Sequence, residues 1–127
     1  MDHGRGGRTV VILDANALMM PFQFSVNLDI ELGRLLGAFD IVVPSSVVVE
    51  LKRVAVEQKA SDAKGALKLS EKYRTHKVAG TGDDAVLAAA IELGALILTN
   101  DAGLRRRARE AGLRTICLRA RSHLELV

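Results

Sequence analysis

Val10-Val11-Ile12-Leu13-Asp14-Ala15-Asn16 is the stretch that decides how this chain folds. With Thr9 before it, the apolar part is a short continuous run rich in β-branched residues. Such a run reads as a strand covered on both faces, and it ends abruptly on an aspartate. Asp40 to Pro44 (DIVVP), Ala95 to Thr99 (ALILT) and Thr115 to Leu118 (TICL) repeat the signature, and a shorter strand is expected near Lys77 to Ala79. Between them lie helical patterns at about Val26 to Leu36, Ser46 to Glu57, Ala60 to Thr75, Asp83 to Leu93 and Ala102 to Ala111. Gly94 and Gly112 fall where glycine ends a helix. Strands alternating with helices predict an α/β fold in three layers, α/β/α, around a mostly parallel sheet of four to five strands. The 127 residues suit one domain, placed at 9–127 behind a glycine-rich polar tail, 1–8, in which His3 is expected to be solvated.

Composition narrows the function classes. Hydrophobic residues make up 49% of the chain, which excludes disorder. No apolar run approaches the ~18 residues of a membrane span, and the start lacks the pattern of a secretion signal. The single Cys117 lies in an apolar run, has no internal disulfide partner and reads as a core thiol, in keeping with a reduced, cytoplasmic setting. Lys and Arg number 18 against 15 Asp and Glu, a net charge of +3 that only mildly favours a polyanionic partner. No Ser-His-Asp or Cys-His arrangement is visible, and Gly80-Thr81-Gly82 is too short for a phosphate-binding loop.

In an open parallel sheet, ligands bind beyond the carboxyl ends of the strands. Four acids stand there in sequence. Asp14 ends the first strand, Glu50 lies in the helix after Pro44, Asp84 opens the helix after the short strand, and Asp101 follows Thr99-Asn100. Aspartate also caps helices, so Asp83, Asp84 and Asp101 have a bland alternative. Periodicity favours more than capping for two of them. Glu50 borders the stripe Val47, Leu51, Val54, and Asp84 precedes Leu87, Ala88 and Ile91 at helical spacing. A carboxylate on a buried face is costly unless a cation accompanies it, and neither helix supplies one there. Carboxylates without histidine or cysteine suit Mg²⁺ or Mn²⁺ rather than zinc, and one or two such ions suit phosphodiester hydrolysis.

At these residues the sequence resembles the PIN-domain ribonucleases over nearly its whole length. Val10 to Asn16, Ser45 to Leu51, Asp83 to Ala90 and Leu98 to Arg105 are similar to the four motifs of that family, in order. The resemblance implies a PIN-like fold and a Mg²⁺- or Mn²⁺-dependent endoribonuclease, with Asp14, Glu50, Asp84 and Asp101 as joint metal ligands and catalytic acids. Asn16, Thr99 and Asn100 take supporting positions. The Asp83-Asp84 doublet leaves the register open by one residue; helix phase favours Asp84, with Asp83 as an outer group. Two branches are implied: ribosomal RNA processing, which Leu18 to Phe24 and Leu118 to Leu126 resemble more, and VapC-type toxins. The corresponding partners are RNA with a ribosome-biogenesis protein, or RNA with an antitoxin, and a homodimer in either case.

Two basic stripes complete the reading. Lys64, Lys68 and Lys72 share a helix face expected to be simply solvated. Arg105, Arg106, Arg107 and Arg109 crowd the helix after Asp101 and are expected to meet RNA phosphates. Phe22, Phe24, Phe39 and Tyr73 are too few for recognition in the style of RNA-binding sheets. Among other classes, a Mg²⁺-binding receiver module lacks its lysine after the last strands, and a haloacid-dehalogenase phosphatase would need Asp where Asn16 stands. A non-catalytic protein- or RNA-binding module remains as the alternative. The apolar Leu18 to Phe24 is expected to be core.

Overall fold

The computed structural model describes residues 7–127; residues 1–6, which include His3 and most of the expected tail, lie outside the described residues. The chain runs β1 (Thr9–Leu13), α1 (Ala15–Gln23), α2 (Leu28–Leu36), β2 (Phe39–Pro44), α3 (Ser45–Glu57), α4 (Ser61–Ser70), β3 (Arg74–His76), α5 (Gly82–Leu93), β4 (Leu96–Leu98), α6 (Ala102–Glu110), β5 (Thr115–Arg119) and β6 (His123–Leu126). Val10 to Leu13 are all buried, as are Ile41 to Val43 and Ile97 with Leu98, so the central strands are covered on both faces. Each fully buried Ile or Leu contributes about 1.5–3 kcal/mol of apolar transfer.

One sheet holds all six strands in the order β3-β2-β1-β4-β5-β6. Every pairing is parallel except β5 with β6. After β1 the chain first builds outward through β2 and β3, then returns to the other side of β1 with β4. The crevice beyond β1 and β4 is therefore the topological switch point. Leu13 is level with Leu98 across that pair, which sets Asp14 beside Thr99.

The alternating architecture is as expected, with three differences. The short strand lies at Arg74–His76, not at Lys77 to Ala79, and the helix before it stops at Ser70 rather than Thr75. β6 is a sixth strand, added antiparallel by a hairpin from β5. α1 was not expected, because Pro21 inside it removes a backbone donor. It forms because the Asp14 carboxylate accepts the Ala17 N–H and because Ala17, Leu18 and Met20 are buried; the expectation of core for Leu18 to Phe24 holds at Leu18 and Met20 and fails at Phe22, which is 45% exposed. α1 packs on α4 with the Phe22 ring directly over Gly65, where a Cβ would come within 2.7 Å of it. Lys64, Lys68 and Lys72 are exposed, and Cys117 is buried, both as expected.

Ala120 and Arg121, in the β5–β6 turn, both hold left-handed backbone, with φ of 51° and 65°. For a non-glycine residue that conformation costs of order 1 kcal/mol. Ala120→Gly is accordingly expected to stabilise the protein by about 1 kcal/mol, read as a rise of a few degrees in melting temperature. An unchanged or lower value would mean the turn is not strained there. On β6, the Arg34 guanidinium donates to the Leu124 carbonyl at 2.7 Å, while the Leu124 N–H donates to Glu31 Oε1 at 2.9 Å. Arg34 and Glu31 are themselves paired at 2.9 Å.

Candidate active site

Two strand ends, with Asp14 and Asp101, and two helices, α3 with Glu50 and α5 with Asp83, deliver acids to the crevice beyond β1 and β4. A cleft of about 60 Å³ is lined there by Asp14, Ala15, Asn16, Val47, Glu50, Gly82, Asp83, Val86 and Asp101. Asp14 is its anchor. One carboxylate oxygen accepts the Ala17 N–H at 2.8 Å, and the other accepts the Thr99 hydroxyl at 2.5 Å. Thr99, fully buried at the end of β4, also accepts the Asp101 N–H on the same hydroxyl oxygen at 3.0 Å. One side chain thus ties the ends of two adjacent strands. Asp101 Oδ1 accepts the Leu104 N–H at 3.0 Å and so caps α6. Capping and membership of the acid cluster, alternatives in the sequence, prove compatible because a cap occupies one carboxylate oxygen.

Asn100, the expected supporting residue between them, does not line the acid cleft. Its carbonyl oxygen accepts the Leu118 N–H at 2.8 Å and links β4 to β5. Asn16 is exposed in the first turn of α1 and lines the acid cleft.

The doublet resolves against the expected register. The Asp84 side chain is 77% exposed and accepts a 2.7 Å hydrogen bond from Arg107. Asp83, the residue expected to be outer, lines the cleft, sharing its helix face with the buried Val86 and Ala90. The Leu87-Ala88-Ile91 stripe that pointed to Asp84 is not the buried face, since Ile91 is 59% exposed. Glu50 needs a smaller correction. It lines the cleft, yet it is exposed rather than set against the core; α3 buries Val47, Leu51 and Ala55, one turn apart each time. The desolvation argument made for Glu50 and Asp84 therefore fails for both; the carboxylate that burial does isolate is Asp14.

Electrostatics mark Asp14. Burial pushes its carboxyl from an ordinary 3.8 to about 6, against the lowering hydrogen bonds from Thr99 and Ala17. The charges of Asp83 and Asp101 push the same way as burial. Asp83 is also raised, by burial and then by Asp101, with Arg107 opposing. Like charges sharing a low-dielectric cleft disfavour each other's ionisation, and a cation between them would reverse that. Among the described residues no three acidic, His or Cys groups converge closely enough to enclose an ion as they stand. The donor chemistry nonetheless fits a hard divalent cation: carboxylate oxygens, amide and hydroxyl neighbours, and neither His nor Cys in the lining.

The four arginines of α6 split. Arg107 turns to Asp84, at the acid side. Arg105 and Arg109, one turn apart, line a separate hollow of about 410 Å³ with Asn100, Cys117 and Arg119. Arg106 is exposed. A different hollow of about 440 Å³ opens between Phe22, Leu28, Leu69 and Tyr73. Its chemistry is a single weak contact, the Tyr73 hydroxyl donating to Asp29 at 3.4 Å, and it lacks the acids.

These features have relatives. Ribonuclease VapC9 of Archaeoglobus fulgidus is 28% identical over 116 residues, spanning 88% of this chain and 85% of that protein. Ribonuclease VapC4 of Methanocaldococcus jannaschii is 29% identical over 127 aligned residues, 91% of this chain and 95% of its own. Among solved structures, the PIN domain endonuclease Utp24 aligns with a TM-score of 0.77 at 22% identity, covering 92% of this chain and 90% of that one, a likeness of fold. The family model described as a PIN-like domain matches residues 11–121, from β1 to the β5–β6 turn and through every strand end that carries an acid. The chain belongs to the PIN-like domain family.

Proposed function

We propose that the protein is a divalent-metal-dependent endoribonuclease, with Asp14, Glu50, Asp83 and Asp101 holding one or two Mg²⁺ or Mn²⁺ ions. The observation that carries this reading is the shared cleft at the switch point, where a buried aspartate is raised to about 6 beside two further aspartates. The ribonuclease names of the two VapC relatives support the substrate class.

A bound divalent cation supplies charge neutralisation at the phosphodiester and a water of lowered pKa. The protein groups do the rest. Thr99 holds Asp14 in one orientation, and the backbone of α1 fixes its other oxygen. Asp83, raised above an ordinary carboxylate and only partly buried, is placed to accept the proton of the attacking water. The water oxygen bonds to phosphorus, and the departing oxygen takes a proton from solvent. Asn16 reaches the cleft as a neutral donor, and Arg105 and Arg109 offer guanidinium groups to neighbouring phosphates.

Purified protein is expected to cut single-stranded RNA internally with Mn²⁺ or Mg²⁺, and to stop with EDTA. Cleavage that survives exhaustive chelation defeats the metal, and no cleavage with any divalent ion defeats the enzyme in favour of a binding module. Affinity should fall steeply with salt, because phosphate contacts release counterions.

Two biological settings follow, both in the cytoplasm. Processing of ribosomal RNA or another stable RNA, alongside a ribosome-biogenesis partner, is the first. The VapC names of the two relatives favour a second, a VapC-type toxin held by an antitoxin, and a homodimer suits either setting. Induced expression in a growing bacterium separates them: growth arrest that Asp14→Asn abolishes selects the toxin, and unimpeded growth selects processing.

A further inference from the structure

The acid cleft does not end at Asn16 and Asp101. A second hollow, of about 280 Å³, shares both residues with it and continues past Met20, Gln23 and Asn100 to Phe24. At this far end the Arg121 guanidinium lies over the Phe24 ring, 5.3 Å from its centre. Two distant parts of the chain meet here, the end of α1 and the β5–β6 turn.

The chemistry of this corner suits one nucleotide. Gln23 and Asn16 line the walls with amides, which can pair with base edges, and Asn100, its oxygen taken by the Leu118 N–H, adds its NH2 group. Phe24 is half-buried and borders the hollow with the Arg121 guanidinium over one face of its ring, a pair of flat groups against which any base can stack. Arg121 is exposed, and among the described residues it enters no ion pair. Arg107 and Arg119, by contrast, are engaged by Asp84 and Glu125. Its backbone is left-handed, a conformation glycine would adopt more easily, so this position holds a guanidinium where the turn alone would favour none.

We propose that Phe24 and Arg121 form a nucleotide subsite for single-stranded RNA next to the scissile phosphate. The ring receives the face of a flanking base, and the guanidinium receives that nucleotide's phosphate. This rests on the ribonuclease reading of the acid cleft and adds what holds the strand beside it. The scarcity of aromatics in the chain does not oppose it, because the subsite needs one ring at one place.

The test uses a short single-stranded RNA carrying 2-aminopurine, whose fluorescence falls when it stacks, with EDTA present so that the strand is bound but not cut. Affinity is read by anisotropy, and melting temperature is measured on the same samples. Phe24→Leu keeps the apolar volume, and Arg121→Gly relieves the turn. Both are expected to weaken binding roughly tenfold and to abolish quenching at the stacked position, while Arg121→Gly melts no lower than the parent. With Mn²⁺ restored, KM rises and kcat is retained. Unchanged affinity and quenching in both variants overturn the subsite, even if the parent cuts RNA. A parent that binds and quenches but never cuts supports the subsite and defeats the nuclease reading instead. A parent that neither binds nor cuts defeats both.

Discussion

Asp14→Asn is expected to abolish RNA cleavage while making the metal-free protein more stable at neutral pH. The Asp14 carboxyl titrates near 6 in the fold against an ordinary 3.8, so the native state prefers it protonated. Stability linked to this group is fully present below pH 3.8 and is lost as pH rises through about 6. At pH 7 and above, the charged form costs the fold about 3 kcal/mol at 1.36 kcal/mol per pKa unit. Asparagine keeps the acceptor for Ala17 N–H and carries no charge, although its NH2 can only donate to the Thr99 oxygen where the carboxylate accepted the hydroxyl, which offsets part of the gain. Denaturant midpoints measured in EDTA from pH 4 to 8 should fall with pH in the parent and stay flatter in the variant, with the gap widest at high pH. Parallel curves would show that Asp14 is not held at a penalty. Cleavage by the variant should drop roughly a hundredfold or more. Saturating Mn²⁺ should return about 2.7 kcal/mol to the parent at a hundred times Kd, and much less to the variant.

The second large effect separates the two members of the doublet. Asp83→Asn removes a carboxylate from the cleft and should cut kcat roughly a hundredfold. Asp84→Asn removes the exposed partner of Arg107 and should leave kcat within a few-fold, since an exposed ion pair contributes at most about 1 kcal/mol. Steady-state cleavage of one RNA by both variants, with melting curves to exclude unfolding, decides it. If Asp84→Asn were the crippled enzyme, the cleft geometry described here would be the wrong guide to the ligands.

That doublet also shows where a sequence stops being informative. β1, β2, β4 and β5 are legible because continuous β-branched runs have no other comfortable place than a covered parallel sheet. α5 is the opposite case: Ala85, Val86, Leu87, Ala89 and Ala90 are all buried, so its apolar residues nearly encircle it and do not define a phase. Asp84 lies on the exposed side of α5 and meets Arg107, 23 positions away on another helix, and local periodicity carries no trace of such a partner. β6 is four residues long, HLEL, and owes its pairing to a turn without a glycine signal. α1 hides behind Pro21. Thr99 was visible only as a supporting position, whereas its hydroxyl proves to join Asp14 to Asp101.

The fork made by Arg34 and Glu31 on Leu124 has a bearing on how copies of this protein can meet. β6 is the last strand of the sheet, and its outward N–H and C=O at Leu124 are already engaged by side chains of α2. An edge engaged at that position is a poorer template for recruiting a neighbour's strand, which guards against runaway sheet growth. β3, at the opposite edge, is three residues long and gives little more purchase. Among the described residues the more open surfaces for a pairing of subunits are helix faces, such as the one on α3 from which Val49 and Val56 project into solvent.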